Sequence, residues 1–497
     1  MIGKLAFRNL ALRPWRTLFL LGGYSLGVAV MIVLLSVGEA MLTQARSERL
    51  VGGGQVTVLP EGIDVELLKT GGLGGMFFSI DHARFIDRQL LAAPRLAPWV
   101  AAVAPQIDGK LLYLRARDGR EVPVRASGAI PSSDAAVGAG PVLAGGAWGD
   151  DALDHRWAEP TAAELRDEID RFHLPPAGAR GDSTWGEWHY FNALSADRKR
   201  WAFITLMVGG QIPGGRWGGQ VLVTLHEAGK PARRFVERVP AQAVAFSTSR
   251  ADLTIGYSTV RVLPSGDYAV HATAPGEHGG APVDVQLVVR PTPGAYFPGA
   301  ALGGDGVVSG YAVAALRADA SGRICVGAEC TRWDDVQSYH DHNWGVWRGV
   351  SWEWGAARLG TMAILYGRVQ PPDSVAATQP LFVYVTDSLG FSALFRPRAI
   401  AYDDGKTIVV GGKPVRVPSR AVMFDARGDD TVRVELTIDD ATGTDTRTPM
   451  VERGDALAAR RIVRPYFIQM KGSARLTGRL HGHPIDVSGA GFFETYR

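Results

Sequence analysis

The sequence predicts a mainly β protein, two consecutive antiparallel barrels or sandwiches, preceded by one transmembrane helix and a small mixed α+β region. Three observations predict it. An uncharged run of 22 residues, Thr17 to Gly38, lies near the N-terminus. After Gly181, short runs such as "WAFITLMVG", "QVLVTLHE", "VDVQLVVRP", "LFVYVTD" and "TVRVELTID" alternate with Gly, Pro, Asp and Asn turns. The 61 glycines and 29 prolines suit a chain with many tight turns. The roughly 315 residues after Gly181 hold too many strands for one small barrel.

At 497 residues the chain is long enough for two to four domains. Apolar residues at 46% and charged residues at 21% are those of a globular protein. A net charge of +3, with no basic patch interleaved with aromatics, gives no reason to expect nucleic acid as a partner.

As a helix, the run from Thr17 to Gly38 is about 33 Å long, enough to cross a bilayer core of ~30 Å. Lys4, Arg8, Arg13 and Arg16 precede it without an acid, so the positive-inside rule places residues 1–16 in the cytoplasm and everything after Glu39 outside. The run exceeds the apolar core of a usual signal peptide, and no clean small-residue cleavage site follows it. The expectation is a single-pass protein of the inner membrane with its bulk periplasmic or extracellular.

"KLAFRNLALRPWRTLFLLGGYSLGVAVMI", with "RLVGGGQVTVLPEGI" and the segment from Ala101 to Gly138, resembles the start of ABC-transporter permeases of the MacB/FtsX type. That resemblance implies a partial periplasmic permease-like region over residues 39–150, and ABC-transporter permease and ATPase subunits as partners. It covers only roughly residues 1–140, and no second apolar run of spanning length follows. "DDGKT" at Asp403 to Thr407 imitates the end of a P-loop but lacks its earlier glycine; Asp404-Gly405 reads as a hairpin turn between "AIAY" and "TIVV".

A Gly/Ala-rich joint, Ala135 to Asp151, separates this region from "TAAELRDEIDRFHL", Thr161 to Leu174, an amphipathic helix with Leu165, Ile169 and Phe172 on one face. The two cysteines, Cys325 and Cys330, are too few for a disulfide scaffold and wrongly spaced for a four-ligand zinc site. In an oxidising compartment they would clip a hairpin.

The chemistry concentrates in "YHDHNWGVWRGVSWEWG", Tyr339 to Gly355, and in "WGEWHYFN", Trp185 to Asn192. On an extended strand His340, His342 and Trp344 share one face, and Tyr339, Asp341 and Asn343 the other. Trp352 and Trp354 lie opposite Glu353; Trp188, Tyr190 and Asn192 lie opposite Glu187, His189 and Phe191. If two barrels meet at these segments, aromatic walls would enclose a few polar groups, as a pocket for a lipophilic small molecule requires.

"EWHYFN", the run from Ser309 to Ala328, the "YHDHNWG" element and the closing Gly489, Gly491 and Glu494 resemble the AttH/CrtC family, over about residues 180–497. The resemblance implies two tandem lipocalin-like domains, residues 151–350 and 351–497, and a carotenoid 1,2-hydratase-like activity that adds water to a C=C bond. Alkene hydration needs an acid, surroundings that tolerate a cation, and a positioned water. Asp341 or Glu353 is the candidate acid, and His340 or His342 would orient the water. Trp344, Tyr339, Asn343, Trp347, Trp352, Trp354, Glu187, Trp188 and Tyr190 are the candidate ligand-binding residues. The rival reading is a non-catalytic periplasmic carrier of lipophiles serving an ABC transporter. No cofactor or metal is expected, because the His-x-His pair lacks a third ligand and "HGH" at His481 to His483 reads as an exposed turn.

Overall fold

The computed structural model describes residues 12, 14–47, 56, 58, 80–90, 93–138, 149–304, 307–347, 349–370, 380–447 and 462–497. They divide into two compact units, Met1–Phe78 with Ala102–Asp151, and Ser79–Ala101 with Ala152–Arg497.

The first unit contains helix α1 (Pro14–Ser47), whose stretch Pro14–Val37 has mean hydropathy 2.4 and no part buried in the protein. A helix of this length and composition fits a membrane anchor or a signal sequence alike. Strands β1 (Gln106–Arg115) and β2 (Glu121–Ala129) pair as an antiparallel hairpin in this unit.

The second unit holds two antiparallel sheets. The first has twelve strands and contains β3 (Trp185–Leu194), β4 (Arg200–Gly210), β5 (Trp217–Glu227), β6 (Arg233–Pro240), β7 (Val244–Phe246), β8 (Asp252–Ile255), β9 (Ser258–Val262), β10 (Tyr268–Ala274), β11 (Val283–Pro291), β12 (Phe297–Gly304), β13 (Val307–Val326) and β14 (Glu329–Val346). Its order is β6-β5-β4-β3-β14-β13-β11-β10-β9-β8-β7, with β12 beside β13. A bridge from Phe235 on β6 to Gly276, just past β10, brings the two sides together. The sheet is therefore a nearly closed barrel of eight strands with a three-stranded extension. Inward side chains such as Phe191, Ile204, Leu206, Val221, Val270 and Val285 fill it.

The second sheet runs β18-β17-β16-β15-β25-β24-β23-β22-β19 and makes a half-barrel. Its strands are β15 (Ser351–Leu359), β16 (Met362–Gln370), β17 (Phe382–Asp387), β18 (Gly390–Phe395), β19 (Ala401–Asp403), β22 (Arg420–Arg427), β23 (Asp430–Asp445), β24 (Tyr466–Leu480) and β25 (His483–Tyr496). Tyr190, Phe203, Tyr311 and Tyr339 of the first sheet form one buried cluster with Trp354 and Phe492 of the second. The two sheets thus meet at the segments that carry the polar and aromatic residues.

Two local expectations change. The amphipathic helix is shorter than its pattern suggests, Ala162–Ile169 (α2), with a capping box between Thr161 and Glu164 and Asp170 as its C-cap. Phe172 N–H donates to Ser247 O instead of continuing the helix, and Leu174, preceding Pro175, is biased away from helical backbone. Leu165, Ile169 and Phe172 still pack on the barrel core. Asp404-Gly405 is not a hairpin turn: β19 pairs with β22, while β20 (Lys406–Val410) pairs with β21 (Lys413–Val417). The turn between those two strands is Gly411-Gly412, both at positive φ, which a type I′ turn requires and most residues resist.

Cys325 and Cys330 lie directly opposite each other on β13 and β14 and are joined by a disulfide. His481 sits exposed in the turn between β24 and β25.

The capping box closes the N-terminus of the helix whose C-cap is Asp170. Thr161→Ala removes the acceptor for Glu164 N–H, and is expected to lower stability by about 1 kcal/mol in denaturant unfolding of the full chain in detergent. Thr161→Ser is expected to restore it.

Candidate functional site

Strands β3 and β14 pair in unbroken antiparallel register from Gln337↔Leu194 to Val346↔Trp185. Alternation then sorts the side chains. His340 and His342 of β14, with Glu187 and His189 of β3, turn into the barrel; Tyr339 and Asp341, with Tyr190, turn to the junction of the two sheets.

At the junction, Asp341 is 5% exposed. Tyr339 Oη donates to its Oδ2 at 2.8 Å, Asn343 Nδ2 donates to its Oδ1 at 2.7 Å, and Trp354 Nε1 donates in turn to Tyr339 Oη at 2.9 Å. Across from it, Glu494 of β25 accepts from Trp352 Nε1 at 2.9 Å and Gln469 Nε2 at 3.4 Å. Burial pushes the Asp341 carboxyl up, the Glu494 charge pushes it further, and the Tyr339 and Asn343 hydrogen bonds hold it at about 8. Burial likewise raises Glu494, to about 7, against the donors of Trp352 and Gln469. Two carboxyls taken out of water in one wall disfavour ionising together.

The walls are aromatic. Trp188, Trp347 and Trp352 cluster with ring centroids 4.8 to 6.2 Å apart, and Tyr190, Tyr339 and Phe492 close the inner end. Trp347 Nε1 donates to Gly186 O at 3.1 Å. The buried hydroxyl of Tyr190 has no hydrogen-bond partner, leaving a donor in the wall. The three tryptophans are only half-buried, so this is the wet end of the junction.

Inside the barrel is a second polar cluster. His340 Nε2 lies 2.8 Å from Asp170 Oδ2, and its Nδ1 is 2.9 Å from Tyr190 O. Tyr268 Oη donates to the same Asp170 oxygen at 2.6 Å. His342 sits with Nε2 2.8 Å from Glu187 Oε1 and Nδ1 3.5 Å from Asp170 Oδ1. Neither of these close contacts has hydrogen-bond geometry, and both His342 nitrogens count as unpartnered. His173 N–H donates to Glu187, and the His173 ring stacks on Trp344 at 3.8 Å. Burial would depress His342, but the carboxylates of Asp170 and Glu187 outweigh it and push it up to about 9. Burial raises Asp170 as well, yet His340 and His342 hold it well below the usual carboxylate range. Burial and then the His342 charge keep His189 well below the usual imidazole range.

The structure therefore divides the predicted set. Tyr339, Asp341, Asn343, Trp188, Tyr190, Trp347, Trp352 and Trp354 come together at the junction. His340, His342, Trp344 and Glu187 do so inside the barrel, so neither histidine can orient water for Asp341: a sheet stands between them. Glu353 joins neither group. Alternation turns it to the inner side of the second sheet, where Arg368 Nε donates to it at 2.9 Å. Sequence reading missed Glu494 as a junction residue, although its closing motif stood out, and Asp170, which nothing but a helix end distinguishes.

No protein-family model and no curated protein matches the chain. Among solved structures it is similar to a protein described as AttH from Nitrosomonas europaea, at 15% identity over 66% of this chain and 97% of that one, TM-score 0.44. It is also similar to CghA with Sch210972, at 13% identity over 68% and 96%, TM-score 0.42. Kievitone hydratase from Nectria haematococca is a third, at 11% identity over 68% and 97%, TM-score 0.40. None of these supports the permease resemblance of the N-terminal region.

Glu494 gives the site a pH signature. Its carboxyl titrates near 7 in the folded protein against an ordinary 4.5, so the native state keeps a proton that the unfolded chain loses between those values. Stability from this group is complete below pH 4.5, falls as pH rises to 7, and is flat above, a drop of about 3 kcal/mol at ~1.4 kcal/mol per unit. Denaturant unfolding of Glu494→Gln across that range is expected to show a shallower decline than the parent. An identical slope would show that Glu494 ionises normally.

Proposed function

We propose that the protein is a lipocalin-fold enzyme that hydrates a C=C bond of an apolar, isoprenoid-like molecule lying between the two sheets. One observation carries the reading: the carboxyls of Asp341 and Glu494 share a water-poor junction walled by tryptophan and tyrosine, each oriented by its own donors. Such a pair, holding one proton, supplies both an acid and a base.

In this reading the Asp341 carboxyl gives its proton to one alkene carbon as the π bond breaks, and the other carbon becomes the cation. The faces of Trp188, Trp352 and Trp354 stabilise that charge. A water held by Glu494 adds through its oxygen, and the Glu494 carboxylate takes the surplus proton. The net change is one alkene plus one water to one alcohol. The pair ends with its proton on the other carboxyl, and exchange with solvent at the half-buried tryptophans resets it. Tyr339 and Asn343 orient Asp341, while the Tyr190 hydroxyl is free to bind a polar end of the substrate. The apolar α1 would hold the enzyme at a membrane, where such molecules partition.

The test is native mass spectrometry of the full chain, purified in detergent from a host making diverse isoprenoids. The expected result is a bound species heavier than its alkene by one water, with only the alkene bound to Asp341→Asn. Turnover of that alkene should fall by ~10²- to 10⁴-fold in Asp341→Asn and in Glu494→Gln. The same unaltered lipid on parent and variants would instead establish a carrier, the role a transporter-associated protein would have.

A further inference from the structure

The barrel-side cluster has features that a proton-sharing network leaves unexplained. One donor atom each of Asp170, His189 and His340 lie within 4.8 Å of one another, as do those of His173, Glu187 and His342. The separation of 3.5 Å between His342 Nδ1 and Asp170 Oδ1 links the two groups. Asp170, His340 and His342 are 0% exposed and His189 is 2% exposed. Even so, Asp170 Oδ1, His189 Nδ1 and both nitrogens of His342 have no hydrogen-bond partner. Each polar atom buried unmet costs about 1–3 kcal/mol, so Asp170 Oδ1 and His189 Nδ1, which belong to one group, call for an occupant.

From this the geometry points to a metal centre: a divalent first-row transition ion, zinc in first place, bound by Asp170, His189 and His340. Two ring nitrogens and one carboxylate oxygen suit zinc, whose bonds to them are ~2.0–2.2 Å. His342 lies outside the ligand set, because its ring is stacked on that of His189 at 4.3 Å and one ion cannot lie in the planes of both.

The outer contacts fit as well. Metal-bound histidines use their remaining ring N–H on a carbonyl or carboxylate. His340 has Tyr190 O at Nδ1, which leaves Nε2 as the lone-pair nitrogen facing Asp170. Tyr268 Oη donates to Asp170 Oδ2, which leaves Oδ1 for the ion. Without an ion, His189 Nδ1 has nothing to bind.

Full burial makes this a structural site. It ties the end of α2 to β3 and β14 through one histidine of the His-x-His pair. Asp341 projects from the opposite face of β14 and belongs to a different function.

Elemental analysis of the full chain, purified in detergent and dialysed, is expected to find about one equivalent of such an ion. Stripping it with chelator under mild denaturation should lower the melting temperature by several degrees, and Zn²⁺ should restore it. Co²⁺ in its place should give the visible bands of tetrahedral coordination. Asp170→Asn with His189→Gln should weaken Co²⁺ binding beyond the ~10- to 100-fold that loss of an outer-shell partner causes. Asp341→Asn should bind it as the parent does. If the double variant fails to fold, the strip-and-reload measurement on the parent decides alone. Parent protein that is metal-free and takes up neither ion overturns the proposal, as does metal that the double variant retains undiminished.

Discussion

Everything functional in this chain depends on the period-two alternation of a single strand pair. Between Gln337↔Leu194 and Val346↔Trp185 the ladder of β3 and β14 has no bulge, so each residue keeps its face for the whole length. A one-residue slip would exchange the two sets, driving Asp341 into the barrel and His340 into the aromatic junction. Burial on both faces makes such a slip prohibitive, because Phe191 and His189 on one side and Tyr190 on the other are all core. The register is thereby fixed more firmly than in a strand with one face in solvent.

The two faces handle buried charge in opposite ways. At the junction the carboxyls of Asp341 and Glu494 meet no cation among their hydrogen-bond partners, only the neutral donors of Tyr339, Asn343, Trp352 and Gln469. Such donors orient a carboxyl without forcing it to ionise, and burial then favours the protonated form. In the barrel, Asp170 lies among imidazoles, which hold it anionic. Protons are therefore available for transfer on one side of the sheet, while on the other the electrostatics bind the structure together.

Much of this was legible in the sequence and some was not, for a definite reason. The β-rich class, the apolar N-terminal helix and the opposite facing of Asp341 and its flanking histidines follow from local patterns of period 2 or from length, which a single chain displays. The Asp404-Gly405 turn was misplaced because a local turn signal cannot reveal that β19 and β20 lie in different sheets. The partners of the motif were hidden because chain closure brings them in. Asp170 is 170 positions from His340, and Glu494 is 142 from the Trp352 that orients it. No spacing rule links residues so far apart. Glu353 shows the converse: adjacency to Trp352 and Trp354 suggested a shared site, but adjacent residues on a strand are the ones that alternation separates.

The shared strand also makes the two faces interdependent. A catalytic carboxyl must be held to within a fraction of an ångström, and packing on its own face fixes only part of that position. The rest comes from behind. His340, whose ring is stacked on Phe191 at 3.9 Å and tied to Tyr190 O, and His342, packed on His189, clamp the backbone on either side of Asp341. Tyr190 belongs to both arrangements, its carbonyl receiving His340 and its ring forming part of the junction wall. A buried polar cluster of this kind adds little net stability by itself, since desolvation offsets most of its attraction. What it provides is one definite position for β14, and the chemistry proposed for the junction requires a fixed carboxyl more than it requires a more stable barrel.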